Sequence, residues 1–118
     1  MADPRLKTIK IKTGVVKRLT KEKVVYEKEA ENQQQRVEKY KKEGKDEYEI
    51  RKQEEVLQES LMMVPDCQRR LLKAYDELHQ ILATELDLQD KEEFKTAQTI
   101  LEEAALQLPK PGEVLHMC

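Results

Sequence analysis

The sequence lacks several features on which common protein classes depend. It has no tryptophan, one phenylalanine, three glycines and four prolines among its 118 residues. A compact α/β enzyme needs many tight turns and a thick core, so this composition argues against that class. Charged residues make up 39% of the chain, which suits long helices that bury one stripe and expose the rest. A chain this polar can also be disordered, and only regular apolar spacing argues otherwise.

Cysteines and long apolar runs are also scarce. The two cysteines, Cys67 and Cys118, are far apart, which is typical of a reducing compartment and not of a disulfide framework. No apolar run approaches the roughly 20 residues of a membrane span. The first residues contain no apolar signal-peptide core. We therefore expect a cytoplasmic protein with no membrane-spanning segment.

The residues that carry catalysis are nearly absent. Ser60 is the only serine, and His79 and His116 are the only histidines. The three glycines are isolated, so no phosphate-binding loop is present, and the cysteines and histidines lack the spacing of zinc ligands. We expect no enzyme activity, no cofactor and no metal.

The first predicted helix covers residues 4–42. Asp3 and Pro4 are typical of a helix start, and Gly44 of a helix end. Heptad spacing predicts a buried stripe. Its members are Ile9, Lys12, Val16, Leu19, Lys23, Tyr26, Ala30, Gln33, Val37 and Tyr40. The residues expected to widen it are Val15, Val24 and Val25.

The second predicted helix covers residues 47–86, with Asp46 or a neighbouring residue as its N-cap. Its predicted stripe is Ile50, Glu54, Leu57, Leu61, Val64, Gln68, Leu71, Tyr75, Leu78 and Leu82. Pro65 removes one backbone hydrogen bond, but the heptad keeps its phase on both sides of it. We therefore expect one bent helix and not two separate helices.

The third predicted helix covers residues 91–108, with Asp90 and Glu93 as its capping pair. Its apolar residues are Phe94, Ala97, Leu101, Ala104 and Leu108. The predicted fold class is all-α, an elongated antiparallel three-helix bundle over residues 1–108. Residues 109–118 are predicted to form a flexible C-terminal tail.

Charge is distributed unevenly although the net charge is only −2. Residues 1–28 contain nine Lys/Arg and three Asp/Glu, whereas residues 84–103 contain two Lys and seven Asp/Glu. One expectation is that antiparallel packing of the first and last helices lets these regions neutralise each other. The alternative is a basic face reserved for an acidic partner.

Nucleic acid is an unsuitable partner for this basic region. Surfaces that bind nucleic acid usually interleave basic residues with stacking aromatics. Here Tyr26, Tyr40, Tyr75 and Phe94 all lie on the predicted buried stripes. We expect a protein-binding rod and no nucleic-acid partner.

Two adjacent methionines interrupt the second helix pattern. If Leu61 and Val64 lie in the buried stripe, Met62 and Met63 point away from it and form an adaptable apolar patch. The alternative is that the bend at Pro65 rotates one methionine into the core.

Several segments resemble the tubulin folding cofactor A family. They are MADPR at 1–5, IKIKTGVVKRL at 9–19, YEKEA at 26–30, LQES at 57–60, MM at 62–63 and PDCQRRL at 65–71. The resemblance spans about residues 1–107. Leu61 departs from it, because a polar or basic residue is expected there, and the tail at 109–118 is not part of the pattern.

The resemblance implies a three-helix chaperone that captures β-tubulin released from the cytosolic chaperonin. It also implies that the other tubulin-folding cofactors then receive the subunit for assembly of the αβ heterodimer. No nucleotide or metal is implied, and the setting is the cytoplasm and the cytoskeleton. The alternative is a generic coiled-coil adaptor or scaffold. We expect a monomer, although a dimer stays open.

Two groups of residues are predicted to bind the partner. The basic group, on the first helix, is Lys12, Lys17, Arg18 and Lys21. The second group combines apolar side chains with fork-shaped donors suited to carboxylates, and it is Met62, Met63, Arg69 and Arg70.

Overall fold

The computed structural model describes residues 3–108 and contains three α-helices. Helix α1 spans Pro4–Lys42, α2 spans Glu47–Thr84 and α3 spans Glu92–Ala105. A short 3-10 helix at Leu86–Leu88 lies between α2 and α3. The described part of the chain has no strand, and its extents of 65 × 32 × 16 Å make it a rod. The predicted class, an elongated all-α bundle, is confirmed. The predicted tail lies outside the described residues.

The first helix begins where the sequence predicts. Oδ1 of Asp3 accepts a hydrogen bond from the backbone N–H of Arg5 at 2.9 Å. Pro4 occupies the first helical position, where no intrahelical partner for an N–H exists. The Asp-Pro pair therefore satisfies the start of α1 from within the local sequence.

The turn after α1 depends on Gly44. Its φ of 68° lies in the left-handed region, where a side chain would be strained. The N–H of Gly44 donates to the carbonyl of Lys41 at 3.2 Å, and the N–H of Lys45 donates to the carbonyl of Tyr40 at 3.1 Å. These two bonds satisfy the last carbonyls of the helix and reverse the chain.

The other helix ends differ from the predictions. Asp46 occupies the N-cap position of α2, but its side chain makes no capping hydrogen bond. The N-cap of α3 is Lys91, so the predicted cap at Asp90 is wrong by one residue. The chain enters α3 from the 3-10 helix, and that geometry sets the first residue of α3. Helix α2 ends at Thr84, and α3 is followed to Leu108 by a tighter turn with i→i−3 bonds.

The predicted stripe of α1 is confirmed, because all ten positions are buried or half-buried. Ile9 and Val16 have no exposed surface. The prediction that Val24 and Val25 widen the stripe is wrong, since both side chains are exposed. They follow the buried Lys23 by one and two positions, about 100° and 200° around the helix, and therefore point away from the stripe.

The predicted stripe of α2 is confirmed at eight of its ten positions, which are buried or half-buried, and is wrong at Glu54 and Leu61, which are exposed. Its row at seven-residue spacing, from Leu57 to Leu71 and Leu78, is buried or half-buried. In the alternate row Leu61 is 45% exposed, and the fully buried Cys67 lies one residue before the half-buried Gln68. Next to α3 the predicted alternate row is buried, as Leu82 illustrates. The placement of α3 decides which row is buried.

Helix α2 continues through Pro65 without a break, as predicted. Proline has no N–H, so the carbonyl of Leu61, four residues earlier, lacks its usual helical donor. The bend at Pro65 stays a prediction.

The rod has two unlike ends. At the covered end, α3 packs on Ile9–Leu19 of α1 and Cys67–Leu82 of α2, and one apolar cluster joins the three helices. At the open end, only Ala30–Lys42 and Glu47–Leu57 face each other. Here Gln33 is buried, and its Nε2 donates to the backbone carbonyl and to Oε1 of Gln53, both at 2.9 Å.

Arg5 ties the start of α1 to the connection before α3. Its Nη1 donates to Oε2 of Glu85 at 2.6 Å, and its Nη2 donates to Oδ2 of Asp87 at 2.9 Å. Helices α1 and α3 therefore begin at the same end of the rod and run in the same direction. The expectation that these two helices are antiparallel is wrong, because a short up-down-up connection makes the first and third helices parallel.

Candidate protein-binding surface

Two of the predicted basic residues are engaged in ion pairs. Nζ of Lys12 lies 3.2 Å from Oε2 of Glu77 on α2. Nε of Arg18 lies 3.6 Å from Oε1 of Glu22, one turn further along α1. Both pairs are solvent-exposed and therefore weak, but they lower the charge that Lys12 and Arg18 present.

The other predicted basic residues belong to a longer row, which we call the lysine edge. It consists of Lys10, Lys17, Lys21 and Lys28, whose spacing of 7, 4 and 7 places them along one edge of α1. All four side chains are exposed, and none forms an ion pair within residues 3–108. Lys10 and Lys28 were missed by the sequence prediction, although the same heptad spacing identifies them.

The acidic third helix does not neutralise the lysine edge. Lys10 lines one hollow with Glu92 and Glu93, yet no ion pair joins α1 to α3 in the described part of the chain. Of the acidic region, Glu85 and Asp87 pair with α1, and only through Arg5. Ion pairing between α1 and the acidic region is thus confined to Arg5, at the N-terminal end of α1.

The Arg5 cluster shifts the protonation of its members. Hydrogen bonds from the Arg5 side chain hold the pKa values of Asp3 and Asp87 below the ordinary range, and the same carboxylates raise the pKa of Arg5. These groups are charged at neutral pH and keep one another occupied. The cluster stabilises the contact between the start of α1 and the connection before α3. Its positive charge is not free to bind a partner.

The methionine segment is exposed on α2. Met62 is 70% exposed and Met63 is 37% exposed. The alternative in which a bend turns one of them into the core is therefore wrong. We call these two adjacent exposed residues, Met62 and Met63, the methionine patch. Flexible thioether side chains can adapt to an irregular apolar surface.

Arg69 and Arg70 share one carboxylate. Nη2 of Arg69 lies 3.0 Å from Oδ1 of Asp66, and Nη2 of Arg70 lies 3.3 Å from Oδ2 of the same residue. One carboxylate balances one of the two guanidinium charges. The pair therefore keeps a net positive charge and free donors on the surface.

The predicted residues do not meet at one point. Met62 and Arg69 are seven residues apart and share the outward side of α2, and Met63 and Arg70 share a neighbouring side. The lysine edge lies on α1, on the side that borders α3. The structure thus presents two surfaces, one apolar and one basic.

Nucleophilic chemistry is poorly supported by the described residues. Ser60 and His79 lie on the same helix, 19 residues apart, which is about 28 Å. That separation prevents them from acting as a pair. The thiol of Cys67 is buried 3.6 Å from the carbonyl of Leu19, and burial raises its pKa, which makes it unreactive.

Within residues 3–108, no group of three or more metal-ligating side chains is close enough to hold an ion. None of the described helices combines the length and the apolar character needed to cross a bilayer.

Comparison with known proteins identifies the family. The family model for tubulin binding cofactor A matches residues 4–101. Tubulin-specific chaperone A of Rattus norvegicus is 59% identical over 107 residues, which cover 91% of this chain and 99% of the relative. The solved structure of human tubulin chaperone cofactor a superposes with a TM-score of 0.76 at 53% identity, covering 89% of this chain and all of that one. The structure of tubulin folding cofactor A from Arabidopsis thaliana gives 0.78 at 35% identity, covering 88% and 98%. The chain belongs to the tubulin binding cofactor A family.

Proposed function

We propose that this protein binds β-tubulin released from the cytosolic chaperonin, holds it, and passes it to other tubulin-folding cofactors for assembly of the αβ heterodimer. Membership of the tubulin binding cofactor A family supports tubulin as the partner. The choice of the β subunit and the transfer to other cofactors are the parts that extend beyond the family description. The setting is the cytoplasm, in association with the cytoskeleton.

The exposed methionine patch carries this proposal. Met62 exposes 70% of its surface, the largest exposed fraction among the large hydrophobic residues of α2. Exposed apolar residues next to charged ones are typical of protein-binding surfaces. Arg69 and Arg70 follow the patch within two turns and supply donors for carboxylates on the partner.

The mechanism is holding by binding. A surface that binds the nearly native subunit and not its unfolded forms stabilises the native-like state by mass action. It also lowers the concentration of free subunit and so suppresses aggregation. Such a mechanism needs no nucleotide, no metal and no reaction at a side chain, and we propose that the protein is not an enzyme.

Capture from a folding reaction tests this function. Newly folded β-tubulin, released from purified chaperonin, is mixed with the full chain and separated on a native gel, with α-tubulin in a parallel reaction. We expect a discrete complex with β-tubulin alone. Transfer is then tested by adding the other tubulin cofactors and measuring heterodimer formation. Equal capture of both subunits, or capture of neither, would refute the choice of subunit.

A generic coiled-coil adaptor is the alternative function. An adaptor needs an apolar seam that is free to pair with another chain, whereas Ile9, Leu71 and Leu78 are fully buried within this one. Their burial favours a monomer that presents its outer surfaces. Sedimentation equilibrium separates the two functions, because an adaptor would show a mass that rises with concentration.

A further inference from the structure

Gly14 lies within α1 and has no packing reason to be a glycine. Its φ is not positive, unlike that of Gly44, so the backbone would accept an alanine. The position is exposed, and beyond its own turns of helix no atom of the described residues lies within 4 Å of where a Cβ would stand. Glycine is less favourable in a helix interior than every residue except proline. The described part of the fold would therefore be more stable with alanine at this position.

The side chains around Gly14 are cations and one exposed isoleucine. Residues three and four positions away are neighbours on a helix surface. Here they are Lys10, Ile11, Lys17 and Arg18. The side chain of Ile11 is 57% exposed. Lys7 and Lys21 lie seven positions before and after Gly14 and therefore on the same face. We call this surface the glycine face, and its members are Lys7, Lys10, Ile11, Gly14, Lys17 and Lys21.

The glycine face is positive and contains no carboxylate. Residues 4–21 contain seven Lys/Arg and no Asp/Glu. Three of these cations, Arg5, Lys12 and Arg18, form ion pairs with carboxylates outside the segment. The four lysines of the face form none within residues 3–108, although Lys10 lines a hollow with Glu92 and Glu93, and Lys21 lines another with Glu22 and Glu29. Their charge is therefore available to a partner.

This face does not stabilise the free chain. Lys7 and Lys10 are three positions apart and Lys17 and Lys21 are four apart, so each pair repels. The first turn of α1 contains no acidic residue, although carboxylates are favoured at that end of a helix. Gly14 lowers the helix propensity of the same segment. Residues that break local rules of stability without a compensating contact are typical of functional sites.

We propose that a carboxylate-bearing helix of the captured tubulin subunit packs directly on the glycine face. This inference rests on the proposed function and adds to it the partner element and its mode of contact. Gly14 has no side chain, so the partner backbone can approach α1 closely there, beside the apolar contact that Ile11 offers. From Lys7 to Lys21 the face is about 21 Å long, which a helix can follow. Charge complementarity selects an acidic partner, because lysines without ion pairs surround the point of approach.

Substitution of Gly14 separates binding from stability. Gly14→Ala and Gly14→Leu are compared with Gln35→Ala, at an exposed position of α1 outside the face. Affinity for β-tubulin is measured with each full-length chain, and circular dichroism melts report stability. Gly14→Ala should raise the thermal midpoint by several degrees and yet weaken binding, because helix propensity improves while the approach is obstructed. Gly14→Leu should bind about tenfold more weakly, and Gln35→Ala should stay within about twofold.

Charge reversal tests the lysines of the face. Lys7→Glu with Lys17→Glu should weaken binding by about tenfold, since the new carboxylates repel those of the partner. Lys39→Glu with Lys42→Glu is the control of equal charge at exposed positions of α1 outside the face, and it should stay within about twofold. If the lysine variant binds weakly but the Gly14 variants bind normally, the close approach at Gly14 is overturned.

Crosslinking identifies the occupant. A photo-reactive benzoylphenylalanine at position 11 should crosslink to an acidic helical peptide of β-tubulin, and the same group at position 48, near the open end, should not. If the unmodified chain binds β-tubulin and all folded variants bind equally well, the glycine face is overturned and the proposed function stands. If the unmodified chain fails to bind, both are overturned. Crosslinks from position 11 to a second copy, or to residues 109–118 of the same chain, overturn this occupant.

Discussion

The covered end and the open end of the rod are built from the same two helices but held together differently. At the covered end, Leu71 and Leu78 have no exposed surface and belong to one cluster with Phe94 and Ala97 of α3. At the open end, the buried surface includes the amide of Gln33. Apolar burial contributes most of the folding free energy, so the third helix concentrates stability at one end.

This difference explains how a chain of 118 residues can expose apolar side chains and remain folded. The covered end forms a core of its own, and the outward side of α2 is therefore not required for packing. Regions with few buried apolar contacts open most readily and are the ones most often used for binding. The methionine patch lies on α2 between the covered end and the open end.

Truncation of one leucine at each end compares the two directly. Leu71→Ala should lower the free energy of unfolding by about 2–5 kcal/mol, because it leaves a cavity in a core closed on three sides. Leu57→Ala should cost less, about 2 kcal/mol at the lower end of that range, since two helices alone can relax around the cavity. Urea denaturation measures both. Equal losses would mean that the ends are equally well packed, and no loss for Leu71→Ala would disprove the assigned core.

Reversal of two charges tests whether the outward side of α2 serves binding and not stability. Arg69→Glu with Arg70→Glu should weaken β-tubulin capture by about tenfold, because the donors are lost and Asp66 gains no new partner. Helicity and the thermal midpoint should change little, since both arginines are exposed. Pull-down and circular dichroism on the same preparations measure the two effects. Unchanged capture by a folded variant would remove this surface from the binding site.

Salt separates external from internal use of the basic residues. The lysine edge has no ion pairs within the described residues, so we expect the association rate with β-tubulin to fall severalfold between about 50 and 500 mM salt. Dissociation should change less. Stopped-flow association, together with thermal melts at both salt concentrations, gives the answer. A constant rate with a shifted melt would favour neutralisation inside the bundle.

The buried amide at the open end offers a local probe. Gln33→Ala removes both hydrogen bonds to Gln53 and should cost about 1 kcal/mol. Amide hydrogen exchange should accelerate in residues 30–57 while residues 67–82 stay protected. Uniform acceleration along the rod would show that the two ends unfold as one unit.

Acid should weaken the Arg5 ion-pair cluster, which joins the start of α1 to the connection before α3. The pKa values of Asp3 and Asp87 are lowered below their ordinary value of 3.8 by Arg5. Their contribution to stability is therefore fully present above about pH 4 to 5 and is lost as the pH falls through the lowered values. The difference in thermal midpoint between the native chain and Arg5→Gln should be small, constant near neutral pH, and vanish toward pH 2. A difference that grows in acid would contradict this assignment.

Features that depend on neighbouring residues were predictable from the sequence. Asp3 and Gly44 act through hydrogen bonds within a few residues, and the α1 stripe follows from its heptads. The α2 stripe was predictable except at Glu54 and Leu61, which lie outside the segment of α2 that shares the apolar cluster with α3 and are exposed. The cap at Asp90 failed for a similar reason, since the 3-10 helix before it shifts the start of α3.

The candidate surface was predicted in part. Exposure of Met62 and Met63 followed from their place outside the stripe. Arg69 and Arg70 follow Asp66 by three and four residues, a spacing that predicts ion pairs on one helix face. This pairing was not among the predictions. The exposure of Val24 could have been predicted, because it directly follows the stripe residue Lys23 and points about 100° away from it.

The length of the rod has a consequence for its behaviour in solution. Its radius of gyration is 19.3 Å, whereas a compact chain of this length has about 13 Å. A particle of this shape experiences more hydrodynamic drag than a sphere of equal mass and elutes earlier from a gel-filtration column. Calibrated against globular standards, a monomer of 13.9 kDa will resemble a dimer. Association states in this family are therefore best assigned by light scattering or sedimentation equilibrium, which measure mass independently of shape.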